Sequence, residues 1–302
     1  MLAWIKQTDM KNKPLLALSL VASLVLTACG GGGGSGSSTT PAATSASSPS
    51  AASAPVASAP VAASTPTVNG ETLPSLTSPQ AGSTAATGNG LQGIWTANAS
   101  GDKTTAFIDA QNNISYLSTV LTLPVSQFFG VISPTSTTWT LTSGVQFLQP
   151  FFYATTSGSG TFTANQAFSG SFVANSSTVN LSWTYDPANA LAVTQASVVG
   201  TWAETNSSIT VDSSGAVTGT LSSCPVTGTL LLTSAGSSQN LYSLSLTTGT
   251  AAACATPGKT LSGNAAIVFL PISGSTLYAR SILYVIHSSD NSAVAYGQVS
   301  PQ

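Results

Sequence analysis

The chain has 302 residues, of which only 5% are charged, and a formal net charge of −2. Beyond Cys29 the basic residues are Lys103, Lys259 and Arg280, set against Glu71, Asp102, Asp109, Asp186, Glu204, Asp212 and Asp290, so three against seven leaves −4. Three scattered cations cannot neutralise a run of phosphates, which excludes nucleic-acid binding and a polybasic lipid-binding patch.

The first element is an export signal. Lys6, Lys11 and Lys13 precede an apolar run from Pro14 to Leu26 that is broken only by Ser19 and Ser23. A basic start followed by a short apolar stretch is the pattern of a signal peptide. The run falls short of the roughly 20 apolar residues that a spanning helix needs.

Leu26-Thr27-Ala28-Cys29 resembles the lipobox of bacterial lipoproteins. The resemblance implies cleavage before Cys29, a diacylglyceryl group on its thiol, and acylation of the new amino terminus. Gly30 follows where an aspartate would imply retention at the inner membrane, so the resemblance implies the outer membrane. Ordinary signal cleavage at the small-x-small site Ala28-Cys29-Gly30 is the competing reading, and the position of the cysteine favours lipidation. Each buried methylene contributes about 0.8 kcal/mol, and two acyl chains suffice for stable anchoring.

From Gly30 to about Gly90 the chain is almost entirely Gly, Ser, Ala, Pro and Thr. Such a stretch has too little large apolar surface to offset chain entropy and is expected to be disordered. Gly30 to Gly34 reads as a swivel, and repeats such as SAPVASAPVAAS from Ser53 favour polyproline II at about 3.1 Å per residue. A cysteine followed by a glycine run resembles the surface lipoproteins of Neisseria, a likeness confined to the tether.

Beyond Gly90 the pattern is that of strands, with β-branched and aromatic residues alternating with polar ones. Val179, Leu181 and Trp183 share one face, as do Ile209 and Val211, then Tyr242, Leu244 and Leu246; Phe168 and Phe172 flank Gly170 on another. Asn112-Asn113 and Ser213-Ser214-Gly215 read as tight turns. Two segments repeat: Gly93 to Trp95 and Gly200 to Trp202 each open a strand with Gly-x-Trp, and each is followed by an aspartate turn, at Asp109 and at Asp212. The expected architecture is all-β, with two tandem antiparallel modules of about eight strands split near Ala188 to Val198. Closed barrels remove exposed edges and are favoured over two-sheet sandwiches. The expected organisation is a signal peptide over 1–28, a tether over 29–90, one module over 91–190 and a second over 191–302.

The Gly-x-Trp opening resembles the first lipocalin strand, where a late arginine packs over the tryptophan; Arg280 could serve Trp202 in that way. The two-module pattern, with Gly215, Gly219, Cys224, Gly228, Asn240, Tyr242, Leu244 and Cys254 in its second half, resembles two-module lipoproteins of β-proteobacteria, largely of unassigned function. With Cys29 taken by lipid, Cys224 and Cys254 remain for one intramolecular bridge in an oxidising compartment; two buried free thiols are the alternative.

Catalytic motifs are scarce. His287 with Asp290 and a nearby serine could form a relay, but His287 reads better as a strand end and Ser288 to Asn291 as the following turn. No Gly-x-Ser-x-Gly elbow occurs, and one histidine with two remaining cysteines does not make a transition-metal site. Trp95, Trp139, Trp183 and Trp202 could stack on sugars or line a cavity, yet each lies in a strand pattern that favours core packing. The expectation is a non-enzymatic, lipid-anchored outer-membrane lipoprotein without cofactor or metal, whose β modules bind a protein, glycan or apolar ligand. The alternative is a small apolar-ligand carrier with a lipocalin-like cavity inside one barrel.

Overall fold

The structure, a computed structural model, describes residues 70–99, 102–120, 123–252 and 254–302. The signal peptide, Cys29 and the tether up to residue 69 lie outside the described residues. The described chain is all-β and forms two tandem closed barrels, each of eight antiparallel strands in which every strand pairs with its sequence neighbour.

The first barrel comprises β1 (Gly93–Ala99), β2 (Asp102–Ile108), β3 (Asn113–Val120), β4 (Leu123–Pro134), β5 (Thr138–Leu148), β6 (Phe151–Thr163), β7 (Ala167–Ala174) and β8 (Ser177–Tyr185). The second comprises β9 (Gly200–Glu204), β10 (Ser207–Val211), β11 (Ala216–Leu221), β12 (Cys224–Leu232), β13 (Tyr242–Thr248), β14 (Thr260–Pro271), β15 (Tyr278–Ser288) and β16 (Val294–Pro301). Two short 3-10 turns, Pro187–Ala190 and Gln195–Val198, join them.

The repeat read in the sequence has a structural counterpart. Each Gly-x-Trp opens the first strand of its barrel, and each indole N–H donates to the carbonyl four residues back: Trp95 to Leu91 at 2.9 Å and Trp202 to Val198 at 2.8 Å. Each aspartate turn is closed in one way. Asp109 Oδ1 accepts from the N–H groups of Gln111 and Asn113, and Asp212 Oδ1 from those of Ser214 and Ala216. Asn112 (φ 63°) and Gly215 (φ 85°) take the left-handed conformation these turns require.

Period-two alternation points one residue set of every strand inward. In the first barrel the rings of Trp139, Phe168 and Trp183 stack in series, with centroids 5.0 Å apart at each step. Trp139 lies across the facing pair Gly160 and Gly170, and a Cβ on either would come within 2.7 Å of its indole. Its ring N–H donates to the Ser169 carbonyl at 3.0 Å. Tyr116, Phe128 and Phe172 continue the packing, and burial pushes the Tyr116 phenol up to about 12. The second interior is built from Trp202, Tyr242 and Tyr284 among Leu, Ile and Val side chains. Burial raises both of its tyrosine phenols above their ordinary value.

A third apolar cluster lies between the barrels. Ile94, Phe107, Leu117 and Phe129, on the outer face of the first barrel, meet Ala266, Val268, Leu283 and Val285 on the outer face of the second. Strands β14 and β15 are therefore apolar on both faces, so Ala265 to Val268 and Ile282 to Ile286 are buried without interruption. A strand buried on both sides reads as a continuous apolar run.

One expectation is corrected. Disorder up to about Gly90 does not hold over residues 70–90, which form an ordered strap across both barrels. Glu71 pairs with Tyr278 as an isolated β-bridge, and its carboxylate accepts from Arg280 Nε and, at 2.9 Å, from Nη2. Leu76 and Ala85 pack against the first barrel's core. Gln80 N–H donates to the Ala190 carbonyl, while its side-chain oxygen accepts from Ala192 N–H. The one α-helical turn among the described residues, α1 (Thr84–Thr87), carries Thr84, whose hydroxyl oxygen accepts from Asn240 N–H. Composition fails here because order comes from backbone hydrogen bonds and a few anchored side chains, not from bulk hydrophobicity.

Cys224 and Cys254 are bridged, which ties the start of β12 to the connection between β13 and β14; their Cα atoms are 4.7 Å apart. The sequence separation of 30 closes a loop for which the chain-entropy model gives about 3–4 kcal/mol. The double variant Cys224→Ser/Cys254→Ser is expected to lower unfolding stability by that amount, read from urea midpoints. A loss below about 1 kcal/mol would show that the reduced chain already holds these ends together.

Candidate functional site

A cleft of about 670 Å³ lies between the two barrels. The first barrel supplies the turn at Asp109 and outward residues of β3, β4 and β5; the second supplies β13, β14 and the end of β15 with its turn. Both contributions come from positions that alternate with core residues. Ser115 and Phe129 face one another across β3 and β4, between the inward Ile114, Tyr116 and Phe128.

A His–Phe stack forms part of the wall. The His287 ring lies on Phe129 with centroids 4.0 Å apart and planes 25° apart. His287 Nδ1 and Asn291 Oδ1 are 3.0 Å apart, which fixes the ring across its own turn. Near it Ser115 donates to Asn264 Oδ1 at 2.9 Å and joins the two barrels by a buried side-chain bond. Asp109 is only 6% exposed, and both carboxylate oxygens are occupied: Oδ1 by two backbone N–H groups, Oδ2 by Asn113 Nδ2 at 2.8 Å. No lysine or arginine among the described residues lines the cleft.

Desolvation by burial holds the His287 imidazole below its ordinary value near 6.5, against the opposing effect of its bonds to Asn291 and the Ser288 backbone. The unfolded chain therefore takes up a proton on this histidine at a higher pH than the folded chain does. Stability that is fully present above about pH 6.5 is lost as pH falls toward the folded value. His287→Phe retains a ring against Phe129 and removes this titration. The stability difference between wild type and variant is expected to shift against the wild type as pH falls from about 7 to about 5, by denaturant midpoints. A flat difference across that range would mean that the ring is solvated.

The residues singled out from sequence fall as follows. Cys29 lies outside the described residues. Cys224 and Cys254 bond to each other away from the cleft. Trp95, Trp139, Trp183 and Trp202 fill barrel interiors. His287 is the last residue but one of β15, which runs on to Ser288, and borders the cleft, but Asp290 does not orient it: that carboxylate accepts from Lys259 Nζ at 2.6 Å and from Ser292, and the ammonium holds it far below the usual carboxylate range. Phe129, Ser115 and Asn264 carry no signal of their own, and Asn113 and Asn291 read in the sequence only as turn residues. As outward-facing strand residues, the first three are indistinguishable in sequence from a solvated sheet face.

Fold and cleft together define a tandem eight-stranded β-barrel protein with a concavity that is polar, uncharged apart from one internally bonded carboxylate, and shared by both modules. Comparison with known proteins matches no family model, no curated protein and no solved structure.

Proposed function

We propose that this chain is a non-enzymatic, lipid-anchored outer-membrane lipoprotein that displays its tandem barrels as a binding unit, with the inter-barrel cleft as the binding surface. The observation that carries the reading is the division of labour between inside and outside. Both interiors are filled by large side chains, among them Trp95, Trp139 and Phe168 in one and Trp202, Tyr242 and Tyr284 in the other, each at most 2% exposed. That weighs against a lipocalin-like carrier, which needs its cavity inside a barrel. The concavity lies instead where two filled barrels meet.

The path of the strap is compatible with display. It joins the second barrel at Tyr278, the first residue of β15, while the cleft takes His287 near the other end of that strand. Nine strand positions separate the two, about 30 Å at 3.3 Å per residue. A tether leading to Glu71 thus meets the barrel far from the cleft mouth.

Anchoring is tested by Cys29→Ser. The wild-type chain is expected to partition into the detergent phase and to incorporate a palmitate analogue, and the variant to do neither. Equal labelling of the two would sink the lipoprotein reading, because the serine hydroxyl cannot form the thioether.

A further inference from the structure

We propose that the inter-barrel cleft recognises a neutral, polyhydroxylated ligand, a short oligosaccharide, through carboxamides and one imidazole that the fold holds by one end and leaves open at the other. This rests on the reading of the protein as a binding protein and names the class of ligand for that same cleft.

The first support is how the polar groups are used. Asn264 spends Oδ1 on Ser115, and Asn291 spends Oδ1 on His287; neither Nδ2 makes a hydrogen bond among the described residues. Asn113 spends Nδ2 on Asp109, and its Oδ1 is likewise unengaged among them. With Nδ1–H of His287 donating to Asn291, Nε2 carries a lone pair. Two donors and two acceptors therefore border one cleft, each oriented by an internal bond. Side chains already fixed lose little entropy on binding, and preorganisation of this kind raises affinity. Asn264 is 6% exposed, so its amide is set in the wall and is not a swinging surface group.

The second support is charge. Asp109 is saturated by its own turn, and no cation among the described residues lines the cleft. An anionic ligand would find no counter-charge, and a cationic one would have to displace three internal bonds. A hydroxyl both donates and accepts, so a row of hydroxyls suits a wall that mixes uncharged donors and acceptors. Val131 and Val145, only partly buried, add apolar surface for the C–H face of a sugar ring. The volume lies within the range of small-molecule sites.

A peptide is the competing ligand. Peptides commonly bind sheets by adding a strand to a free edge. Both barrels are closed, so the described sheets offer no such edge.

The test is calorimetric titration of the full-length chain, in a detergent without sugar headgroups, with maltotriose, cellotriose and chitotriose. Saturable binding of at least one at micromolar to millimolar concentration is expected. Asn264→Asp keeps the oxygen that accepts from Ser115 and replaces the open donor with an acceptor. It is expected to weaken that binding about tenfold, the size of one lost hydrogen bond. His287→Phe, which retains the stack on Phe129, is expected to do the same, and unchanged thermal unfolding shows that either variant is folded. No binding of any of the three sugars overturns the proposal, as does binding that is indifferent to both variants. Binding of an uncharged peptide library with no sugar bound also overturns it while leaving a binding protein in place. Failure of the anchoring experiment touches only the lipoprotein reading, since the titration does not depend on acylation.

Discussion

A chain truncated to begin at Leu91 is expected to be less stable than one beginning at Gly70 by about 3–6 kcal/mol. The larger part comes from Arg280, which is 6% exposed and donates twice to the Glu71 carboxylate. Two charge-assisted hydrogen bonds are lost, at about 1.5–3 kcal/mol each, offset in part as water reaches the uncovered guanidinium. The strap also covers the first core through Leu76 and Ala85 and accepts from Asn240 N–H through Thr84. Losing one further buried hydrogen bond and some apolar contact adds about 1–3 kcal/mol. Urea unfolding of the two truncations, compared at equal m, measures the difference. If the midpoints coincide, residues 70–90 lie on the barrels without contributing to their stability.

Asn240→Ala is expected to cost about 2–6 kcal/mol. This residue is fully buried, and its side chain completes the backbone of β14 where no strand does so: Oδ1 accepts from Ile267 N–H at 3.0 Å and Nδ2 donates to the Ile267 carbonyl at 2.8 Å. Nδ2 also donates to the Ala188 carbonyl at 3.1 Å, in the turn that follows the first barrel. Alanine leaves the buried Ile267 N–H and carbonyl without that partner, at about 1–3 kcal/mol each, while the Ala188 carbonyl keeps the Leu191 N–H. Asn240→Asp, of nearly the same volume, is expected to cost at least as much as alanine: it turns a second oxygen toward the Ile267 and Ala188 carbonyls and places a carboxylate where water cannot solvate it. A loss under about 1 kcal/mol for alanine, by thermal or urea unfolding, would mean that water replaces the amide. Asn189 uses the same device on the first barrel, accepting from Ile94 N–H at 2.8 Å and donating to the Ile94 carbonyl at 2.6 Å.

The alternation of Val179, Leu181 and Trp183, the paired Gly-x-Trp openings and the aspartate turns at Asp109 and Asp212 made the strands, the repeat and the point of division legible, because each is a local rule of the backbone. The bridge between Cys224 and Cys254 came from counting thiols. What was not legible depends on contacts between distant segments. Glu71 is one acid in a small-residue tract until Arg280 stands beside it. Asn240 had a place in the repeat pattern, but nothing local distinguishes it from a loop asparagine, and Asn189 carried no signal. The cleft escaped because its walls are single outward residues from several strands of two modules. One usable signal was present: the unbroken apolar runs in β14 and β15 are too continuous for a sheet with one wet face, and they mark where the other barrel rests.

The strand order has a consequence for how the molecule is assembled. Each barrel is a meander in which every pairing but one joins neighbours in sequence, so most of the sheet can form as soon as each hairpin exists. The exception is the seam, where β1 meets β8 through two residue pairs and β16 meets β9 through two, Ser300 with Ala203 and Pro301 with Trp202. These are the pairings with the largest loop-closure cost and the fewest bonds to offset it. In a chain delivered amino terminus first, the first barrel can zip shut once Tyr185 has emerged, and can then template the outer face of β14 and β15. The second must wait for Pro301, and until then β9 and β16 are open edges with the aggregation hazard such edges carry.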